Sequence, residues 1–451
     1  MRSLWFESAL LPQGWARGVR VQVVEGRIER IAADVPAADA DERHAIGVPG
    51  MPNLHSHALQ RALTGLTERR GTHGDSFWTW RELMYQFVER IDPDEVQAIA
   101  AFAYAEMLES GFTQVGEFHY LHHDRGGVPF ADPGELAGRI AAAAAASGIG
   151  LTLLPTLYAH GGFGGAESTK RQRRFINDRE RFAQIVERSR QLVRALPGGV
   201  VGVAPHSLRA VTPEELAWLS ELLPGAVVHI HIAEQTREVE DCMAWSGQRP
   251  VEWLLGHAAI DARWCLVHAT HVTESEWRGI LARGAVVGLC PITEANLGDG
   301  IFPAADFLGQ AGRIGIGSDS NVQVDAAQEL RALEYSQRLT LRARNVLAAG
   351  PGHSTGRSLF DAALAGGAQV LQSAAGLMPG AWLDVVSLNA AHPALIQRRD
   401  DEILDSWIFG AGQGLVDCVW RAGEKLVVAG RHRHRDTLLA GYRRSLRRLL
   451  G

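Results

Sequence analysis

The chain has 451 residues, 46% hydrophobic and 21% charged, with a formal net charge of −6. That balance belongs to a soluble globular chain and excludes disorder, a collagen-like fibre and a disulfide scaffold. The acidic excess leaves no global basic field for nucleic acid or for an anionic membrane surface. Cys242, Cys265, Cys290 and Cys418 form no C-x-x-C pair, which fits a reducing, cytoplasmic compartment and excludes a sulfur-based zinc site.

The first residues, Met1 to Glu7, lack the apolar core of a secretory signal. Short alternating runs follow at Val19–Val24 and Arg27–Ile31, as in hairpin strands. From there apolar runs recur at Ile46–Leu54, Phe112–Phe118, Ile149–Leu157 and Val200–Ala204, then at Ala226–Ile232, Cys265–Val267, Ala285–Leu289 and Arg313–Gly317. Helical patterns lie between them, at Pro93–Glu109, Phe175–Leu196, Pro213–Leu223, Val251–His257 and Glu274–Arg283. The longest apolar stretch, Ile140 to Leu157, is interrupted by Ser147, Gly148 and Gly150, so it reads as a helix end, a turn and a strand and not as a membrane span. Alternating texture returns at Trp382–Leu388, Leu415–Trp420 and Lys425–Val428, and the chain ends in an arginine-rich helical pattern, Asp436–Leu450, read as a solvated surface helix.

Eight strand–helix units predict an α/β fold: a (β/α)8 TIM-like barrel over residues 50–375. The remaining residues, 1–49 and 376–451, predict one small β-sandwich domain built from both termini and carrying the last helix.

Active sites in such barrels sit at the C-terminal ends of the strands. After the first predicted strand stand His55 and His57, two residues apart and therefore on one face of an extended segment. After the fifth come His229, His231 and Glu234; His231 lies nearer the mouth, and His229 reads as a barrel-interior histidine. Glu234 is a carboxylate beside, but not on, a metal, the usual general acid/base of metal-assisted hydrolysis. His268 ends the sixth strand, and Asp319 follows the eighth and completes a His, His, His, Asp ligand set. Gly161 to Gly165, after the third strand, lacks the Lys-Ser/Thr of a phosphate loop and reads as a lid. Met84, Tyr85 and Phe87, at near-helical spacing, read as core.

In this order the strand-end residues resemble the amidohydrolase superfamily, and His231-x-x-Glu234 resembles its deaminase branch. Met51-Pro52-Asn53-Leu54-His55-Ser56-His57-Ala58-Leu59-Gln60-Arg61-Ala62, Phe77-Trp78-Thr79-Trp80-Arg81 and Ala204-Pro205-His206-Ser207-Leu208-Arg209-Ala210-Val211 resemble the formimidoylglutamate deiminase family over essentially the whole chain. Relatives with two metals bridge them with a carboxylated lysine after strand 4. Only Lys170 and Lys425 are lysines here and neither is placed to serve, so one metal is expected, held by His55, His57, His231 and Asp319. Zinc suits these ligands, and iron or another divalent ion is open to the same set. The resemblance implies that Asp319 also orients the attacking water, that His268 stabilises the oxyanion and that Glu234 protonates the leaving nitrogen.

The implied substrate is a small dicarboxylate, N-formimino-L-glutamate, converted with water to N-formyl-L-glutamate and ammonia in histidine degradation. Arginine matches carboxylate through paired hydrogen bonds, which selects Arg209 and Arg81, with His206, Tyr120 and Gln60 beside them. From the residues alone either amine nitrogen can leave; the resemblance selects ammonia. It also implies a homodimer. Two rivals stay open: a guanine-type nucleobase deaminase on the same scaffold, whose pocket would favour aromatic faces over two arginines, and a non-catalytic metal-binding barrel, which needs neither Glu234 nor His268.

Overall fold

The computed structural model describes residues 2–70, 76–412 and 414–451. At its centre run eight parallel segments: β1 (Met51–Ser56), β2 (Phe112–His119), β3 (Gly150–Leu157), β4 (Val200–Val201, resuming at Ala204–Pro205), β5 (Val228–Ile232), β6 (Trp264–His268), β7 (Val286–Leu289) and β8 (Arg313–Ile316). They form two arcs, β1 to β4 and β5 to β8, each paired in chain order. Isolated parallel bridges join the arcs at both seams, Val203 to Val228 and Ser56 to Asp319.

Parallel neighbours require crossover connections, and helices supply them: Pro93–Glu109 before β2, Glu135–Ser147 before β3, Arg179–Val193 before β4 and Pro213–Leu222 before β5. Both faces of the strands are covered, and β2 and β3 are buried at every position, β2 even at Thr113, Gln114, Glu117 and His119. Several helix starts are written into the sequence: Asp92 precedes Pro93 with Glu95 three residues on, and Thr212 precedes Pro213 with Glu215, both capping boxes with proline in the first turn.

The run Ile46–Leu54, read as one barrel strand, is split. Glu42–Pro49 belongs to the terminal sheet, and β1 starts at Met51. Gly50 is the joint. Its N–H donates to the Asp384 carbonyl at 3.1 Å, and a Cβ on it would stand 2.2 Å from the Thr113 side chain. Hydropathy cannot see this break, because both halves are buried.

The terminal strands Arg2–Leu11, Gly14–Val24, Arg27–Ala32 and Glu42–Pro49 join Val385–Leu388, Val416–Arg421, Glu424–Val428 and Arg431–His432 in one mixed eight-stranded sheet. Arg27 at one edge bridges Trp382, just ahead of the Val385 strand, so the sheet folds back on itself. Leu4, Phe6, Val19, Val21, Val385 and Trp420 fill one core inside it. The sandwich expected here thus takes the form of a continuous sheet over a single core. The last helix, Arg435–Leu450, packs on the helix Pro93–Glu109, with Tyr442 stacked on Phe102 at 4.6 Å, while Arg443, Arg444, Arg447 and Arg448 remain exposed.

Candidate active site and metal centre

The C-terminal ends of β1, β5, β6 and β8 converge, and the backbone there is forced. Ala233, His268, Ala269, Asp319 and Asn321 all take positive φ, between 42° and 68°. Left-handed non-glycine residues persist only where surrounding bonds over-determine them, and they cluster at functional sites. Here Ala269 N–H donates to the Ile232 carbonyl, His271 N–H to Ala233 and Asp319 N–H to His55, each at 3.0 Å. Asn321 is fully buried, and its Nδ2 donates to Ser56 Oγ and the His57 carbonyl at 3.1 Å and to the Asp319 carbonyl at 3.0 Å, tying the first strand end to the last.

His57 Nδ1 donates to the Phe118 carbonyl at 3.0 Å and His231 Nδ1 to the His206 carbonyl at 3.1 Å. A carbonyl only accepts, so these bonds assign the ring protons to Nδ1 and leave Nε2 with a lone pair. Burial lowers the pKa of all three histidines, that of His55 to about 3, which keeps them neutral. Their Nε2 atoms nevertheless face one another, at 3.2 Å between His55 and His57, 3.4 Å between His57 and His231 and 3.0 Å between His231 and His55. Asp319 Oδ1 stands 3.4 Å from His55 Nε2 and 3.3 Å from His57 Nε2. Lone pairs and a carboxylate crowded in this way repel unless a cation lies among them. A tetrahedral ion with bonds of about 2.0–2.1 Å sets its donors roughly 3.3–3.4 Å apart, so the four residues fit one divalent metal.

His229 is absent from this cluster. It is fully buried, and its Nε2 donates to the Val370 carbonyl at 2.9 Å. Lys170 lies exposed in a short turn and Lys425 pairs with Glu42 in the terminal sheet, so neither reaches the metal ligands.

His268 Nε2 lies 3.8 Å from Glu234 Oε1 and 3.8 Å from Asp319 Oδ2. Its other nitrogen faces Glu294 Oε1 at 3.3 Å. Burial opposes charge on this ring, but Glu234, Glu294 and Asp319 around it prevail and raise its pKa to about 10. Burial pushes the Glu234 carboxyl up to about 7, against the pull of His268 and Arg209. A carboxyl group near neutrality beside a cationic imidazole can both take and give a proton at working pH. Glu294 lies on the helix Pro291–Leu297 that follows β7; nothing in its local pattern marked it.

Above this floor a cleft is walled by Gln60, Arg81, Tyr120, His206 and Arg209, with Glu234, His268 and Asp319 at its base. The five residues expected from the sequence to meet the substrate therefore line one space together with Glu234, His268 and Asp319. Gln60 Nε2 donates to the Tyr120 hydroxyl at 3.0 Å, and that hydroxyl meets Met84 Sδ at 3.7 Å. Gln60 Oε1, Arg81 Nε and Arg209 Nε are buried with no hydrogen-bond partner. Buried polar atoms are ordinarily paired, so this cleft presents two donors and one acceptor to whatever polar group enters it. The Trp78 indole lies 4.5 Å from the Arg81 guanidinium and 5.8 Å from that of Arg209.

Several wall residues escaped the sequence reading. Tyr158 and Phe175 come from the β3 end and a distant turn, and no sequence spacing links them to the metal. Met84, Tyr85 and Phe87 are buried as expected of core, but Met84 and Tyr85 also line the cleft. Tyr85 sits four residues after Arg81 on the helix Phe77–Val88, on the same face, a signal that was legible. The Gly161–Gly165 loop docks through Phe163, which stacks on Trp245 at 5.5 Å; a Cβ on Gly164 would meet Trp245 Nε1 at 2.9 Å.

Residues 46–426 match the Amidohydrolase family, and residues 1–45 match the N-terminal domain of formimidoylglutamate deiminase HutF. The chain is 51% identical over 435 residues, 96% of each sequence, to formimidoylglutamate deiminase of Pseudomonas aeruginosa. Among solved structures it resembles an amidohydrolase from Brucella melitensis, with a TM-score of 0.97 and 53% identity over the full length of both chains. It also resembles an adenosine deaminase from Xanthomonas campestris with bound zinc, with a TM-score of 0.80 and 22% identity over 99% of this chain and 98% of that one.

Proposed function

Because the chain belongs to the amidohydrolase family, we propose that it acts as its close relative is named to act, hydrolysing a C–N bond of N-formimino-L-glutamate to give N-formyl-L-glutamate and ammonia in histidine degradation. One feature of the molecule carries the substrate assignment: two arginines with unpaired buried Nε atoms look onto the His/Asp cluster across a single cleft. The scaffold is a (β/α)8 barrel over residues 50–375 with a small β domain from 1–49 and 376–451, a reading supported by the bridges at both seams.

One zinc per chain, held by His55, His57, His231 and Asp319, is the metal assignment that three neutral nitrogens and one hard oxygen support. Bound there, the ion would activate a water for attack near neutral pH. Asp319 orients that water through the carboxylate oxygen nearer His268. His268 donates from Nε2 to the attacking oxygen and holds it at the amidine carbon as that carbon becomes tetrahedral and the C=N electron pair moves onto the terminal nitrogen. Glu234 takes the two protons of the attacking water in turn and delivers them to the terminal nitrogen, which leaves as ammonia while the C=O of the formyl amide forms. Glu294 accepts from His268 Nδ1 and so holds the ring's orientation.

Arg209 and Arg81 each hold a substrate carboxylate, assisted by His206, Tyr120 and Gln60. The wall is aromatic as well, with Phe77, Trp80, Tyr85, Tyr120, Tyr158 and Phe175, as a nucleobase pocket would be. The two guanidiniums favour the dicarboxylate, since a neutral base would offer neither unpaired Nε a charged acceptor. We place the enzyme in the cytoplasm as a homodimer. The four cysteines are free and buried, and no helix among the described residues is long and apolar enough to cross a membrane. An ammonia-release assay on zinc-loaded enzyme tests the whole reading. Formiminoglutamate should be turned over and guanine and adenine left untouched; faster turnover of either base would overturn the substrate assignment.

A further inference from the structure

Glu238 has no place in the mechanism above, yet it is a fully buried carboxylate in contact with two parts of it. It is the third residue of the helix Thr236–Ser246 and reaches back past the cap at Gln235. Its Oε2 accepts the Glu234 N–H at 3.1 Å, and its Oε1 accepts the Ala233 N–H at 3.3 Å. The same Oε2 lies 4.0 Å from Arg209 Nη2.

We propose that Glu238 is a positioning residue that couples the proton shuttle to the carboxylate clamp, fixing Glu234 through the backbone and Arg209 through charge. The inference rests on the reading of Arg209 as a clamp on substrate carboxylate.

The physical case has two halves. Ala233 holds a left-handed φ of 51°, and that turn aims Glu234 at His268. Two N–H groups donating to one carboxylate keep the turn from relaxing. On the other side Arg209, its side chain only 11% exposed, lies among aromatics and histidines, where an unpaired cation is disfavoured. Glu238 does not line the cleft, so it compensates Arg209 from outside it and leaves the Arg209 Nε unpaired for a ligand. A carboxylate serving only as a helix cap has no reason to meet the guanidinium at all.

The test is a pair of double-mutant cycles on the zinc-loaded enzyme, built on Glu238→Gln, which keeps size and loses charge. We expect Glu238→Gln to keep one zinc per chain, to lower kcat about tenfold and to raise KM for formiminoglutamate about tenfold, the scale of losing one charge-assisted contact on each side. In an Arg209→Met background the KM effect of Glu238→Gln should vanish and its kcat effect persist. In a Glu234→Gln background the reverse should hold. Additive effects in both backgrounds, or unchanged kcat and KM in Glu238→Gln alone, would overturn the proposal. An unchanged KM in Arg209→Met by itself would overturn the clamp reading, and this proposal with it. Should Glu238→Gln fail to fold, Glu238→Asp, which keeps the charge and shortens the reach, carries the same cycles.

Discussion

On the cleft floor, the outer nitrogens of His57 and His231 bond backbone carbonyls, and Asn321 ties the first strand end to the eighth with two hydrogen bonds. On the wall, Gln60 Oε1, Arg81 Nε and Arg209 Nε are buried with nothing to bond. The floor is held by bonds within the protein; the wall keeps two donors, Arg81 Nε and Arg209 Nε, and one acceptor, Gln60 Oε1, without a partner, which on the proposed reading the substrate supplies. Chemistry and specificity are thus held by different means, one by geometry prepaid in the fold and one by polar atoms kept hungry for a ligand. The floor should tolerate almost no change, and the wall should tolerate change for substrates that lack the matching group.

Four experiments test that contrast. Asp319→Ala should abolish measurable turnover and release the metal. Elemental analysis should find one ion in the wild-type chain and far less in the variant, and two ions per active wild-type chain would contradict the mononuclear floor. Glu234→Gln should keep the ion and lose at least ~10²-fold in turnover, with His268→Asn similar, as when a proton shuttle or an oxyanion donor is removed. Near-normal rates with the metal retained would show that other groups move the proton. Arg209→Met should cut kcat/KM for formiminoglutamate by about 30-fold, the lower part of the range for truncating one partner of a desolvated charge pair. The loss should shrink for a formimino compound lacking the carboxylate that Arg209 holds; an equal loss on both compounds would place Arg209 among structural residues. Tyr120→Phe removes a hydroxyl that accepts from Gln60 and should cost only about three- to tenfold in kcat/KM, the worth of one neutral hydrogen bond. A larger loss would move Tyr120 from the wall into the chemistry.

Much of the floor was legible because its residues sit at strand ends in chain order. A histidine two residues from another in an extended segment shares its face, so His55 and His57 announced themselves as a pair. The preference for His231 over His229 followed from distance along the strand to the mouth, and His229 is bonded to Val370 inside. Glu294 and Asn321 were not legible. Each acts by bonding a partner that only folding brings near, and a lone glutamate on a helix or a lone asparagine in a turn carries no pattern.

Local periodicity and residue chemistry sufficed for the alternation of strands and helices, for histidines and an aspartate at the strand ends and for the lack of a lysine near them. Tertiary structure alone decided that the run Ile46–Leu54 breaks at Gly50, where a side chain would collide with Thr113 from a neighbouring strand. It decided that Arg81, from a helix after β1, and Arg209, from the loop after β4, flank the same indole. It also decided that the carboxylate of Glu238 meets both the shuttle's backbone and the clamp's guanidinium. Each of these is a contact between segments remote in the chain, and such contacts are set by the closing of the sheet, which no window of neighbouring residues encodes.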